Sequence, residues 1–205
     1  MREVLHFSPD DARRVPWKNG RGETLELAIF PPEATFERGD FAWRISKARV
    51  EESGPFSAFA GFDRILVVLE GDGLVLAHGD ASPRARLRKL EPYRFAGDWD
   101  TSGELVRGPI ADFNVITHRE RARAEVQTLP LARRSARESL STPHTFLHVL
   151  SGALFARVTG EDEPFDLVAG DSLWVRDPRI GDELDLTGRG EGTAALVVRI
   201  DDVSG

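Results

Sequence analysis

The apolar residues of this chain come in short runs, each closed by Gly, Pro or Asp, and that punctuation constrains the fold more than any other feature. The runs "FAWRISKARV", "RILVVLEGDGLVLAHG", "TFLHVLSGALFARV", "DSLWVRD" and "TAALVVRI" are rich in Val, Ile, Leu and Phe and have the length and spacing of strands. They predict a mainly β protein. His118 to Leu140 is long enough for a helix, but Pro130 interrupts it and its apolar residues hold no single face. That stretch reads as a connector with a strand in its first half. Two hairpin-like stretches also match each other: Leu66, Val68, Leu69 and Gly71 stand against Leu147, Val149, Leu150 and Gly152 at a constant offset of 81. "LEPYRFAGD" and "LVAGDSLWV" give a second, looser parallel. Two copies point to two similar β modules rather than a repeat array.

Composition narrows the partner. A chain of 205 residues with 40% hydrophobic content can bury a sizeable core. Its net charge of -7 argues against a surface built to neutralise phosphates, so nucleic acid is not an expected partner. Without cysteine there is no disulfide, thiolate nucleophile or zinc ribbon. "MREVLHFSPDD" lacks a signal-peptide apolar region, and no run of about 18 apolar residues could span a bilayer. The expectation is a soluble, cytoplasmic protein without a membrane partner. A homodimer through an edge strand or sheet face is permitted by such folds, but no residue here specifies it.

The pattern of strand, L-x-G turn and strand, followed by "AGDSLWV", resembles a cupin, a small β-barrel or jelly roll. Two copies packed in one compact unit would make a bicupin. More specifically, "WKNGRGETLEL", "FAWRISKARVEESGPFSAFAGFDRILVVLEG" and "DFNVITHR", covering Trp17–Leu27, Phe41–Gly71 and Asp112–Arg119, resemble the HutD/Ves family in their order along the chain. That resemblance implies a cupin-like module at 1–112 and a second at 113–205, the latter including a connector at 113–142. It also implies an accessory protein that moderates histidine utilisation by sensing a pathway metabolite such as urocanate or N-formylglutamate. It implies no known reaction. The chain departs from the family segment at Arg21 and Leu25, which bears on whether the ligand is the same.

A catalytic cupin holds a metal with an HxH pair, a Glu and a later His. In the first module Phe56 and Phe59 occupy that region. In the second, His144 and His148 are four apart, so on a strand their Cα atoms lie about 13 Å from each other, too far to share one ion readily. No His follows "GDSLWVRDPRIG". No metal or cofactor is therefore expected. His6, His78 and His118 read as surface or core-edge histidines. A serine hydrolase elbow is absent from the sequence. The neighbouring acids Glu51 and Glu52, like Asp201 and Asp202, would point to opposite faces of a strand.

What remains is a polar set. In "FAWRIS", strand alternation puts Arg44 and Ser46 on one face and Phe41, Trp43 and Ile45 on the other. If the aromatic face packs outward, Arg44 enters the barrel and there meets a ligand carboxylate, or a resident acid from among Asp63, Glu23 and Glu26. An internal ion pair alone is the plainer alternative. Asn19 and Asn114 offer amides that can read a carboxylate, an imidazole or a formamide, although Asn19 beside Gly20 is equally a turn residue. Trp17 and Trp43 are either site walls or core. Lys18 could attract an anion. The "WKNGRGETLEL" segment then bends over one end of the barrel and delivers Asn19 and Glu23 toward Arg44. Three functions stay open: a non-enzymatic binder of a small anionic metabolite; a cupin-type isomerase, lyase or metal-dependent oxygenase; and an interaction protein using Arg119 to Arg137, a run that also holds Glu120, Glu125 and Glu138.

Overall fold

The computed structural model describes residues 1–17, 23–80 and 82–203. Among them the chain forms β1 (Glu3–Phe7), one 3-10 turn (Pro9–Asp11), β2 (Arg13–Pro16), β3 (Glu23–Phe30), β4 (Trp43–Val50), β5 (Gly54–Pro55) and β6 (Phe62–Glu70). There follow β7 (Leu74–Ala77), β8 (Ala85–Leu87), β9 (Tyr93–Ala96), β10 (Ser102–Leu105), β11 (Ile110–His118), β12 (Ala122–Pro130) and β13 (Ser135–Ser139). The last are β14 (His144–Ser151), β15 (Ala153–Val158), β16 (Phe165–Val168), β17 (Ser172–Arg176), β18 (Glu183–Gly188) and β19 (Ala194–Asp202). The chain is mainly β, built of antiparallel sheets. No helix among the described residues is long and apolar enough to cross a membrane.

The contacts divide the chain into two compact units. Among the described residues, the first holds those within 12–123 together with Val203, and the second holds 1–11 with 124–202. The first has a six-stranded sheet, β2-β3-β4-β11-β6-β9, and a four-stranded sheet, β5-β10-β7-β8. Leu66, Val68 and Phe95 of the larger sheet pack with Leu74, Leu76 and Leu87 of the smaller in one apolar cluster. The second has sheets β1-β17-β14-β19-β12 and β13-β18-β15-β16. Its cluster joins Leu147, Val149, Leu173, Val175 and Val197 to Leu154, Ala156, Leu184 and Leu186.

Local sequence explains these elements. β15 and β18 alternate buried with less buried positions, as strands with one covered face do. β6 and β14 are almost continuously buried, and their apolar runs match. The glycines that end the repeated L-x-G turns serve the same purpose in both units. Gly71 has φ +93°, and a Cβ there would lie 2.7 Å from the Pro109 carbonyl oxygen. Gly152 has φ +72°, and its Cβ would lie 2.6 Å from Thr193 Oγ1. Only glycine fits both the turn and the close approach.

The units differ from the expected division at 112/113. That boundary falls inside β11, which is hydrogen-bonded to β4 on one side and β6 on the other. The N-terminal strand β1 pairs with β17 of the second unit from Glu3↔Arg176 to Phe7↔Ser172. The stretch read as a connector contains two strands rather than one, because β13 pairs with β18 along its whole length.

Candidate functional site

The site is built on one face of the six-stranded sheet. Register aligns Ile29, Arg44, Ile116, Arg64 and Phe95 in a row across β3, β4, β11, β6 and β9. The next row is Glu26, Ser46, Asn114, Leu66 and Tyr93, and the third is Thr24, Ala48, Asp112 and Val68. Residues paired across strands share a face, as do residues two apart along a strand. These side chains therefore project toward the side where Leu66, Val68 and Phe95 enter the core. A register shift between Glu26 and Ala28 lets Glu26 and Ile29, three apart, share that face. Without this bulge Glu26 would turn away from Arg44.

Arg44 is 4% exposed, and its Nε donates to Glu26 Oε2 at 2.6 Å. Its guanidinium lies 4.5 Å from the centroid of Phe36. Arg13 adds a second cation 3.7 Å from Glu26. A resident carboxylate thus already holds Arg44.

Arg64 is differently placed. It is 4% exposed, with its guanidinium carbon 5.3, 5.2 and 5.1 Å from the ring centroids of Phe56, Phe59 and Phe95. One terminal nitrogen donates to the Ser57 carbonyl at 3.2 Å, while the buried Nε has no hydrogen-bond partner. Three ring faces offset part of the desolvation of the cation, at about 0.5–2 kcal/mol each. They cannot accept the Nε–H as a carboxylate oxygen would. Burial lowers the Arg64 pKa to about 10 against the pull of Asp112, and the neighbouring charge of Arg44 adds to the lowering.

Asp112 completes the charge set. At 3% exposure, burial raises its pKa to about 7, opposed by Arg64 and by a hydrogen bond from the Ala48 backbone N–H. Its Oδ1 has no hydrogen-bond partner, and neither has Oδ1 of Asn114. Buried polar atoms without partners are few in folded proteins, so three on one face single it out as the candidate site.

Nearby, Thr101 Oγ1 lies 3.2 Å from the Trp99 carbonyl oxygen and 2.9 Å from His78 Nδ1. His78 Nε2 in turn lies 3.1 Å from the Tyr93 hydroxyl, so a neutral His78 is hydrogen-bonded through both ring nitrogens. Burial lowers the His78 pKa and favours this neutral form.

Of the residues singled out from sequence, Arg44, Ser46 and Asn114 come together on this face. Trp17 packs against the same cluster and donates from Nε1 to Thr24 Oγ1 at 2.9 Å. Three of the remaining residues stand elsewhere. Trp43 is buried on the opposite face, stacked on Phe30 with centroids 5.7 Å apart. Asp63 accepts from Arg119 at 3.0 Å and has the strand parity opposite to Arg64. Glu23 is exposed and held by Arg14 at 2.6 Å. Glu26, not Asp63 or Glu23, orders Arg44. Asn19, with Lys18 and Arg21, lies outside the described residues.

Arg64 and Asp112 were missed, although alternation could have found them. Arg64 shares its parity with Leu66 and Val68, and Asp112 shares its parity with Asn114. The second unit lacks this chemistry: at the offset of 81, Thr145 stands where the first has Arg64, and the second unit's core cluster is aliphatic apart from Phe165 packed at its edge. Among the described residues no three His, Asp or Glu side chains converge as metal ligands.

Comparison with known proteins agrees with this architecture. The chain is 42% identical over 127 residues to an uncharacterized 21.2 kDa protein in the hutC 3' region of Pseudomonas putida, covering 62% of this chain and 65% of that one. It is 38% identical over 121 residues to Protein Ves of Citrobacter koseri, covering 57% of this chain and 61% of that one. The match thus spans less than two thirds of either relative. The structure of HutD from Pseudomonas fluorescens SBW25 superposes with a TM-score of 0.79 at 31% identity, covering 99% of this chain and 100% of that one. A Bacillus subtilis oxalate decarboxylase shares the cupin-like fold alone, at a TM-score of 0.69 and 10% identity over 98% of this chain and 78% of that one. The HutD family model matches residues 9–196, and the chain belongs to the HutD family.

Proposed function

We propose that this protein is a non-enzymatic accessory protein of histidine utilisation that binds a small carboxylate metabolite in its first unit. In this reading the two units are two cupin-like barrels, a bicupin. The observation that carries it is Arg64, a caged guanidinium whose buried Nε–H has no partner. A carboxylate is the bidentate complement of a guanidinium and would supply the missing acceptor. Arg44, already neutralised by Glu26, adds a hydrogen-bonding wall without a second free charge. Urocanate and N-formylglutamate are the candidates that family membership suggests. Such a metabolite-sensing role belongs in the cytoplasm.

A thermal-shift screen of urocanate, N-formylglutamate, glutamate and formate tests the reading. A ligand at a hundred times its Kd stabilises the folded state by about 2.7 kcal/mol, a rise of about 5–10 °C for a chain of this size. Arg64→Met should abolish that rise while the unliganded protein remains folded. A full rise in the variant, or none with any carboxylate in the wild type, would count against the reading.

Asp112 favours a second reading, because a buried carboxyl titrating near 7 suits a general acid or base. Consumption of urocanate or N-formylglutamate, followed by NMR and lost in Asp112→Asn, would make the protein a cupin-type enzyme.

A further inference from the structure

The two units end their smaller sheets in related strands of opposite charge. β8 closes the order β5-β10-β7-β8 and β16 closes β13-β18-β15-β16, so each leaves one ladder edge open. Their registers match at an offset of 80: Leu74↔Leu87 and Val75↔Arg86 in the first unit stand against Leu154↔Leu167 and Phe155↔Asp166 in the second. Leu87 and Leu167 enter the two cores, whereas Arg86 and Asp166 are exposed. Pro83 to Leu90 carries four cations and no acid, in a chain whose net charge is -7. Glu161 to Asp166 carries four acids and no cation. Part of this charge is answered internally. Arg84 meets Glu104, Arg88 lies 3.9 Å from Glu91, and Glu161 accepts from Arg2 at 2.8 Å. Asp166 accepts from Arg189 at 2.6 Å, an exposed pair that opens at little cost. Among the described residues Arg86, Lys89, Asp162 and Glu163 have no ion-pair partner, and all four are exposed.

Charged side chains on an edge strand oppose the addition of a further strand that carries the same charge. Two copies of β8 therefore repel each other, as do two copies of β16. β8 against β16 brings opposite charges together. In the antiparallel register that sets Arg86 against Asp166, Ala85 and Leu87 fall against Leu167 and Phe165, apolar beside apolar. Arg84 falls against Val168, which is 53% exposed and which the aliphatic stem of an arginine can cover. Just past the ladder, Lys89 falls against Glu163. We propose that this chain self-associates head to tail, with β8 of one copy adding to the open edge of β16 of a second copy. The two edges are different surfaces, so the contact is heterologous. Its ladder is short, which places the interface at the small, transient end of the size range. Its charges lie at the surface, where salt screens them. The contact is independent of the carboxylate reading of Arg64.

Sedimentation equilibrium of the full chain tests this. The weight-average mass of the wild type should rise above 22.7 kDa with concentration in about 50 mM salt, and the association should weaken at least about tenfold in about 500 mM salt. That comparison needs no substitution, so it stands even where a variant misfolds. Arg86→Glu with Lys89→Glu, and separately Asp162→Lys with Glu163→Lys, should each remain at the monomer mass where the wild type associates. An equimolar mixture of the two double variants should regain association, because each then presents the edge charge that the other lacks. Three results overturn the proposal: a wild type that stays monomeric at every concentration, a mass that neither salt nor either double variant changes, or a mixture no more associated than its parts.

Discussion

Asp112 ties the ligand chemistry to a measurable cost in the unliganded protein. Its carboxyl titrates near 7 when folded, against an ordinary value of 3.8. Between roughly pH 4 and 7 the folded state keeps a proton that the unfolded state has released, so stability falls as pH rises through that window and levels off above it. Asparagine copies the neutral acid. Asp112→Asn should therefore match the wild type at pH 4 and be more stable at pH 8 by about 1–3 kcal/mol, a rise of about 2–10 °C in Tm. Thermal melts at the two pH values check this, and identical midpoints at pH 8 would show that the buried charge is not destabilising. The polar face was partly legible in sequence: strict alternation in "FAWRIS" assigns Arg44 and Ser46 to one side, and the structure agrees. The partner of Arg44 was not legible, because the register shift after Glu26 resets parity on β3 and chooses among three acids. Phe56 and Phe59, read only as standing where metal ligands would fall, turn out to cage Arg64, a contact that requires the turn before β6 to fold back.

Glycine carries the repeat. Gly61, Gly71 and Gly152 all have positive φ, at +81°, +93° and +72°, but they differ in what surrounds them. A Cβ at Gly61 would meet nothing within 4 Å, whereas at Gly71 it would strike the Pro109 backbone. At Gly152 it would strike Thr193, whose hydroxyl is engaged with the Ala153 and Gly190 carbonyls. Gly61→Ala should then cost only the left-handed backbone penalty, about 1–2 kcal/mol. Gly71→Ala and Gly152→Ala should add overpacking, for about 2–4 kcal/mol each. Urea denaturation orders the three, and equal losses would refute the distinction between backbone and packing. The repeated "LEG" and "LSG" were readable because both the turn and the close approach demand the same residue. β13 was not readable for the opposite reason. An edge strand with the sequence "SARES" buries only Glu138 and so leaves no apolar alternation.

The two units share an order of strands, yet the chain does not finish one before starting the other. β1, the first strand made, is an edge strand of the second unit. Nothing in "MREVLHFSPDD" announces that partner, since the pairing is set by the free edge of β17 and not by local pattern. The anchoring contacts are specific. Arg2 reaches Glu161 at 2.8 Å and Asp182 at 3.3 Å, Arg176 donates to Glu3 at 2.9 Å, and His6 lies 3.6 Å from Asp171. Deleting residues 1–8 removes all of these and uncovers the ladder edge of Ser172–Arg176. Amide hydrogen exchange should register the loss in β17 first, as a drop of at least about tenfold in protection at the amides bonded to β1, with β14 affected less because β19 still covers its other side. In the first unit, β4, β6 and β11 should keep their protection, because their ladders involve no residue before Arg13. If those three strands lost protection in step with β17, the two units would be opening as one cooperative body, and the proposed carboxylate site could not be treated as the property of the first unit alone.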